Sequence, residues 1–220
     1  MFPRFSFHSR LTALGTALLC IVGTWVAQAG TFRLPESVTP EGRYSIGNPN
    51  APVVVSEYAD FQCPGCEYFA TNLKSRFLRR ELEAGQVRFE FADFPLPFHR
   101  NARAAAIAAR CAGQAGAFWA YHDGLYAQQG IWAHSPEPRR DFLNLALKLK
   151  VPKAAFLTCL DSPVQKAAIE ASLQRGKALQ MTGTPTFSVN GRRVDWGDEP
   201  TIDSIVQNVQ LAVSKQLRQK

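Results

Sequence analysis

Apolar residues fall along this chain in two alternating periods. Residues 52–58, PVVVSEY, are a short β-branched run bounded by GNPNAP, the pattern of a buried strand. From Cys66 onward, Phe69, Leu73 and Phe77 recur at helical spacing until Gly85 supplies a stop, which predicts one helix starting at CPGC, residues 63–66. VRFEFADF, residues 87–94, alternates like a second strand, and FPLPF breaks it. In the long helical region that follows, Ala104, Ile107, Ala108 and Cys111 share one face and FWAYHDGLYAQQ continues the pattern. Further helices are expected at about 138–150, 152–160 and 163–180. The period then returns to two, because TPTFSVNGRRVD has apolar runs on either side of Asn190-Gly191, a strong hairpin signal. Residues 201–217 form an amphipathic helix. Internal repeats and low-complexity segments are absent from the sequence.

The order βαβ, helices, then helix, hairpin and helix predicts an α/β fold: one sheet with a helical block inserted in its middle. The sheet domain would take residues 30–98 and 163–220, and the insertion 99–162.

The first 29 residues change the picture of where the chain works. Arg4 and Arg10 stand without an acid, LTALGTALLCIVGTWV is apolar, and Ala27 and Ala29 form a small-x-small cleavage pattern. This reads as a secretory signal cut after Ala29, with a retained membrane anchor as the alternative. Leu19 before Cys20 argues against lipidation, which calls for a small residue there. The formal charge is +7 for the whole chain, and Arg79-Arg80, Arg139-Arg140 and Arg192-Arg193 are flanked by acids or turn residues, not interleaved with aromatics. That is a solvated surface, not a nucleic-acid footprint.

Export permits disulfides, and loss of Cys20 leaves an even set: Cys63, Cys66, Cys111 and Cys159. The C-x-x-C pair has three readings: half a zinc site, a structural staple or a redox centre. Zinc is disfavoured, because Cys111 and Cys159 make no second knuckle and no histidine has ligand spacing; no metal is expected. Redox chemistry fits the first strand-to-helix junction. A helix N-terminus carries unpaired N–H groups and about half a positive charge, which favour a thiolate. Cys63 sits there with Pro64 just inside the helix, so Cys63 is the expected nucleophile and Cys66, a turn further in, the resolving thiol. Glu57, on an otherwise apolar strand, is costly to bury charged; a raised pKa would let it relay the proton that Cys66 must lose. Cys111 and Cys159 are either two buried thiols or a bridge.

CPGC after an apolar strand, together with GTPTF at residues 183–187, resembles the DsbA-type branch of the thioredoxin superfamily, BdbD-like proteins included. NAPVVVSEYADFQCPGC, DFPLPFHRNARAAAIAARCAGQAGAFWAYHDGLY and GTPTFSVNGRRV all fit, so the resemblance covers nearly all of the chain after residue 29. It implies a thioredoxin-like fold with an inserted helical domain. By motif position it makes Cys63 and Cys66 the redox pair and Pro185 the proline held cis opposite it, with Thr184 presenting backbone to substrate and Glu57 under the site. A second disulfide, Cys111 to Cys159, is implied because some relatives carry one there.

The implied function is an extracytoplasmic dithiol oxidase acting on cysteine-containing secreted or envelope proteins without a cofactor. A quinone-linked membrane thiol oxidase would be its reoxidant. A reductase or isomerase is the alternative, since Gly65 stands where the strongest oxidants have a histidine; a non-catalytic binding module or chaperone is another. His99 is expected to start a helix, His122-Asp123 not to be a catalytic dyad, and Phe118, Trp119, Tyr121 and Tyr126 to be core.

Overall fold

Two seven-residue strands, β3 (Val53–Ala59) and β4 (Val87–Asp93), run parallel at the centre of a sheet that has six strands among the described residues. Both are covered on both faces, which is why β3 reads as a nearly continuous apolar run. The computed structural model describes residues 34–197 and 201–219; the expected signal segment, 1–29, lies outside them. The sheet order is β1-β2-β4-β3-β5-β6, every pairing other than β3 with β4 being antiparallel. Asn190 and Gly191, both at positive φ, join β5 (Thr186–Val189) to β6 (Arg192–Arg193), as Asn-Gly turns do.

The strands β1 (Glu36–Val38) and β2 (Tyr44–Gly47) were not expected from the pattern. β1 is three residues long and mostly exposed at the sheet edge, too short to show a period.

The single helix expected after CPGC is three pieces: α1 (Pro64–Tyr68), a π-helical turn (Phe69–Leu73) and α2 (Arg79–Glu83). Leu78 takes a left-handed φ of 51° between the last two. A branched residue there costs on the order of 1 kcal/mol or more, and the burial of Leu78 offsets it. The break keeps Phe69 and Phe77 in one aromatic cluster with Phe89 and Phe187.

Between β4 and β5 run α3 (Ala102–Gln114), α4 (Phe118–Ala127), α5 (Gln129–Trp132), α6 (Pro138–Lys148), α7 (Lys153–Leu160) and α8 (Pro163–Ala178). This matches the thioredoxin-like pattern with inserted helices. Alanines bury most of α3 and let its neighbours approach closely. At Gly113 even a Cβ would stand 2.3 Å from the Tyr44 ring, whose hydroxyl donates to the Arg110 carbonyl. Ser162 caps α8, and Thr201 with Ser204 forms a capping box on α9 (Ile202–Arg218). The buried face of α9, Ile205, Val206, Val209 and Val213, packs on β3 and β5.

Cys111 on α3 and Cys159 on α7 are joined by a disulfide across 48 residues. A cross-link of that span lowers the entropy of the unfolded chain, stabilising by about 4 kcal/mol in the chain-entropy account. Replacing both cysteines by alanine is therefore expected to lower the unfolding free energy in urea by about that much. An unchanged midpoint and slope would show that the bridge contributes nothing.

Candidate active site

Asp60, Phe61 and Gln62 carry the chain from the end of β3 to Cys63, the N-cap of α1, and Pro64 takes the first helical position. The Cys63 N–H donates to Asp60 C=O, closing a tight turn that aims the sulfur at the helix end. Cys63 is nearly buried, Cys66 is wholly buried, and both are thiols here. The Cys66 thiol donates to Cys63 and is the first reason that Cys63 titrates at about 6; the Thr184 side chain and the N–H groups of Cys66 and Gly65 add to it, and burial opposes. Burial first, then the hydrogen it shares with Cys63, pushes Cys66 well above 9. One sulfur is thus ready to be a thiolate at neutral pH and the other is not.

The second wall comes from a segment 121 residues away. The Thr184–Pro185 peptide bond is cis, and the Cys63 thiol donates to Thr184 C=O at 3.3 Å. That contact favours the thiol. The Thr184 hydroxyl, buried beside the sulfur, is the side-chain group that turns to a thiolate. Gly65 lies against this wall: a Cβ there would meet Ile202 Cδ1 at 3.1 Å and Pro185 Cδ at 3.2 Å, so the position has little room for a side chain.

Glu57 stands on β3 between Phe91 of β4 and Phe187 of β5, 1 % exposed, and among the described residues neither carboxylate oxygen has a hydrogen-bond partner. Burial lifts its pKa to about 8, against the pull of Lys74 and with the help of Cys63. It is a protonated acid at neutral pH, electrostatically coupled to both cysteines.

Residues 39–208 match the profile of the family described as Thioredoxin. The chain belongs to the thioredoxin family. Within it, the chain stands with the DsbA-type, BdbD-like proteins. A disulfide bond formation protein D of Bacillus anthracis is 27 % identical over 221 residues, covering 96 % of this chain and 98 % of that one. The crystal structure of oxidised BdbD from Bacillus subtilis shares the fold with a TM-score of 0.69 at 21 % identity, covering 85 % of this chain and 100 % of that one. A protein named Na(+)/H(+) antiporter NhaA 3, from Salinispora tropica, is 34 % identical over 169 residues, 76 % of this chain; the chain spans only 24 % of that relative's length.

The loop that carries Cys63 is held by side chains that sequence reasoning missed. Asp60, buried, accepts from the N–H groups of Gln62 and Leu96 and pairs with His99 Nδ1 at 2.8 Å. Gln62 binds Ala133 C=O and the Asn101 N–H, and Gln129 Nε2 donates to the carbonyls of Phe61 and Cys63. The inserted helices thereby clamp the loop that carries Cys63. His99 does not start a helix; it precedes α3, whose N-cap is Asn101, because Asp60 draws its ring inward. His122 is packed among Phe61, Phe91, Phe118, Trp119 and Tyr126, bonded to Asp123 and Lys74. Burial holds its pKa near 4, so it is neutral. Phe118, Trp119, Tyr121 and Tyr126 are buried core.

Proposed function

We propose that the protein is an extracytoplasmic dithiol oxidase that introduces disulfides into secreted or envelope proteins through Cys63 and Cys66. A substrate thiolate attacks Cys63 Sγ of the oxidised pair, forming a mixed disulfide while Cys66 leaves and takes a proton, a donor role we assign to the Glu57 carboxyl, whose charge bears on Cys66. A second substrate thiolate attacks the substrate sulfur of that bond and Cys63 leaves as a thiolate. Two substrate thiols become a disulfide, and the two electrons rest on the enzyme dithiol. No cofactor enters these steps. Return to the disulfide requires an oxidant, for which a quinone-linked membrane thiol oxidase is the proposed partner. Export by the N-terminal segment places the reaction outside the cytoplasm.

The observation that carries the direction is the low pKa of Cys63 beside the high one of Cys66. At pH 7 a thiol that titrates at about 6 is roughly nine-tenths thiolate, which stabilises the dithiol form by about 1.4 kcal/mol, or about 30 mV toward an oxidant.

Equilibrating the Cys63–Cys66 couple with glutathione tests the direction. A potential less negative than about −200 mV is expected. A value near the thioredoxin level, about −270 mV, would favour the reductase reading, and a protein that oxidises no dithiol peptide would be the binding module.

A further inference from the structure

We propose that the cleft between the β4–α3 connection and α8 binds an acidic segment of the protein substrate, flanking the cysteine that reacts with Cys63. The inference rests on the oxidase reading and names the substrate chemistry that the site would prefer.

The cleft has a volume of about 510 Å³, within the usual range for ligand clefts. Its floor is apolar: Phe94, Leu173 and Met181 are all buried there. Its rim is basic. Arg100, Arg103 and Lys177 are exposed around it, against one acid, Glu170. Arg103 meets Glu170 at 3.5 Å, and Glu170 also takes a hydrogen bond from Gln174. Among the described residues Arg100 and Lys177 have no carboxylate within 4.0 Å, so two positive charges face the opening without a direct ion-pair partner. The fourth basic group, His99, is already turned to Asp60.

Two connections tie this cleft to the redox sulfur. Met181 and Thr182 line it, and two residues further on Thr184 C=O receives the Cys63 thiol. Thr182 therefore lies no more than about 7.6 Å, two Cα steps, from the residue that touches the nucleophile. On the opposite side His99 lines the cleft and binds Asp60, whose carbonyl accepts the Cys63 N–H. An extended substrate advances about 3.3 Å per residue, so with its cysteine at Cys63 the side chains two to four positions away lie about 7 to 13 Å along, a reach that takes in Thr182 of the lining. Carboxylates there would meet Arg100 and Lys177, and an apolar neighbour would cover the floor. Phe98, 75 % exposed beside Pro97 and His99 of the lining, extends the apolar surface at the edge. Charge complementarity of this kind acts mainly on the encounter rate and weakens with salt.

The test compares two dithiol peptides that differ only in carrying Asp and Glu, or Lys and Arg, at the four positions on each side of the reacting cysteine. The oxidised protein should react with the acidic peptide about tenfold faster in low salt, the ratio shrinking toward one in about 0.5 M NaCl. Arg100→Glu with Lys177→Glu should bring the ratio below one. The remote reversal Lys148→Glu with Lys215→Glu should preserve it. Equal rates for the two peptides, a ratio unchanged by the cleft variant with native circular dichroism, or the same collapse in the remote variant would overturn the inference and leave the oxidase reading standing. Oxidation of neither peptide would overturn that reading and this inference with it.

Discussion

Replacing Cys66 is expected to convert the protein from a turnover enzyme into a trap. With Cys63 kept, a substrate disulfide or an activated thiol joins it, and no neighbouring thiol is left to release the bond. Mixed disulfides with cysteine-containing proteins should accumulate to a major fraction of the variant, and Cys63→Ala should trap almost none. The choice of substituent matters, because the Cys66 thiol is the first cause of the low Cys63 pKa. Alanine removes that donor, so Cys63 should titrate above 6 and trap slowly at pH 6. Serine keeps a hydroxyl near the sulfur and should preserve more of the thiolate. Non-reducing gels at pH 6 and pH 8 read this directly: Cys66→Ala and Cys66→Ser should differ at the lower pH and converge at the higher. Equal trapping by the Cys63 and Cys66 variants would overturn the assignment of roles.

The placement of the two cysteines at a helix start was legible before the structure. A C-x-x-C at a strand end, with proline at the second position, is a local arrangement, and local chemistry fixes where the helix starts and which sulfur meets its free N–H groups. The central strands, the Asn190-Gly191 hairpin and the helices α6 to α9 were legible for the same reason, each having a period or turn signal within its own residues.

What could not be read depends on meetings between distant segments. Asp60 with His99, and Gln62 with Asn101, are each 39 residues apart; Gln129 reaches Cys63 across 66. A polar side chain that serves a remote carbonyl has no periodicity to announce it. The break after CPGC was hidden for a related reason: Phe69 and Phe77 fit a continuous helix by spacing, and only their shared packing against Phe89 and Phe187 shows why the backbone widens and turns. Neither glycine nor proline marks Leu78.

Glu57 is where the sequence and the structure together yield the second large effect. The strand pattern set an acid among valines, and the structure leaves both its oxygens buried and unbonded. With its pKa at about 8 in the folded protein against an ordinary 4.5, the folded state holds a proton that the unfolded state has lost throughout that interval. Stability contributed at this position is therefore fully present below about pH 4.5 and is lost as pH rises toward 8, by about 4 kcal/mol at pH 8. Glu57→Gln, measured in the reduced protein by urea unfolding at pH 5 and pH 8, should remove most of that slope and be the more stable form at the higher pH. Parallel pH profiles for the two proteins would mean that Glu57 is not protonated in the fold. The same substitution deletes the group whose carboxylate, formed as pH approaches 8, would accept the Cys66 proton. Burial has raised that thiol so far that it cannot ionise unaided near neutral pH, and a base that titrates near 8 is matched to the task. Release of a preformed Cys63 mixed disulfide should accordingly slow in Glu57→Gln and lose its dependence on pH around 8. A variant that gained stability yet released substrate at the unaltered rate would leave Glu57 a buried acid with no part in proton transfer.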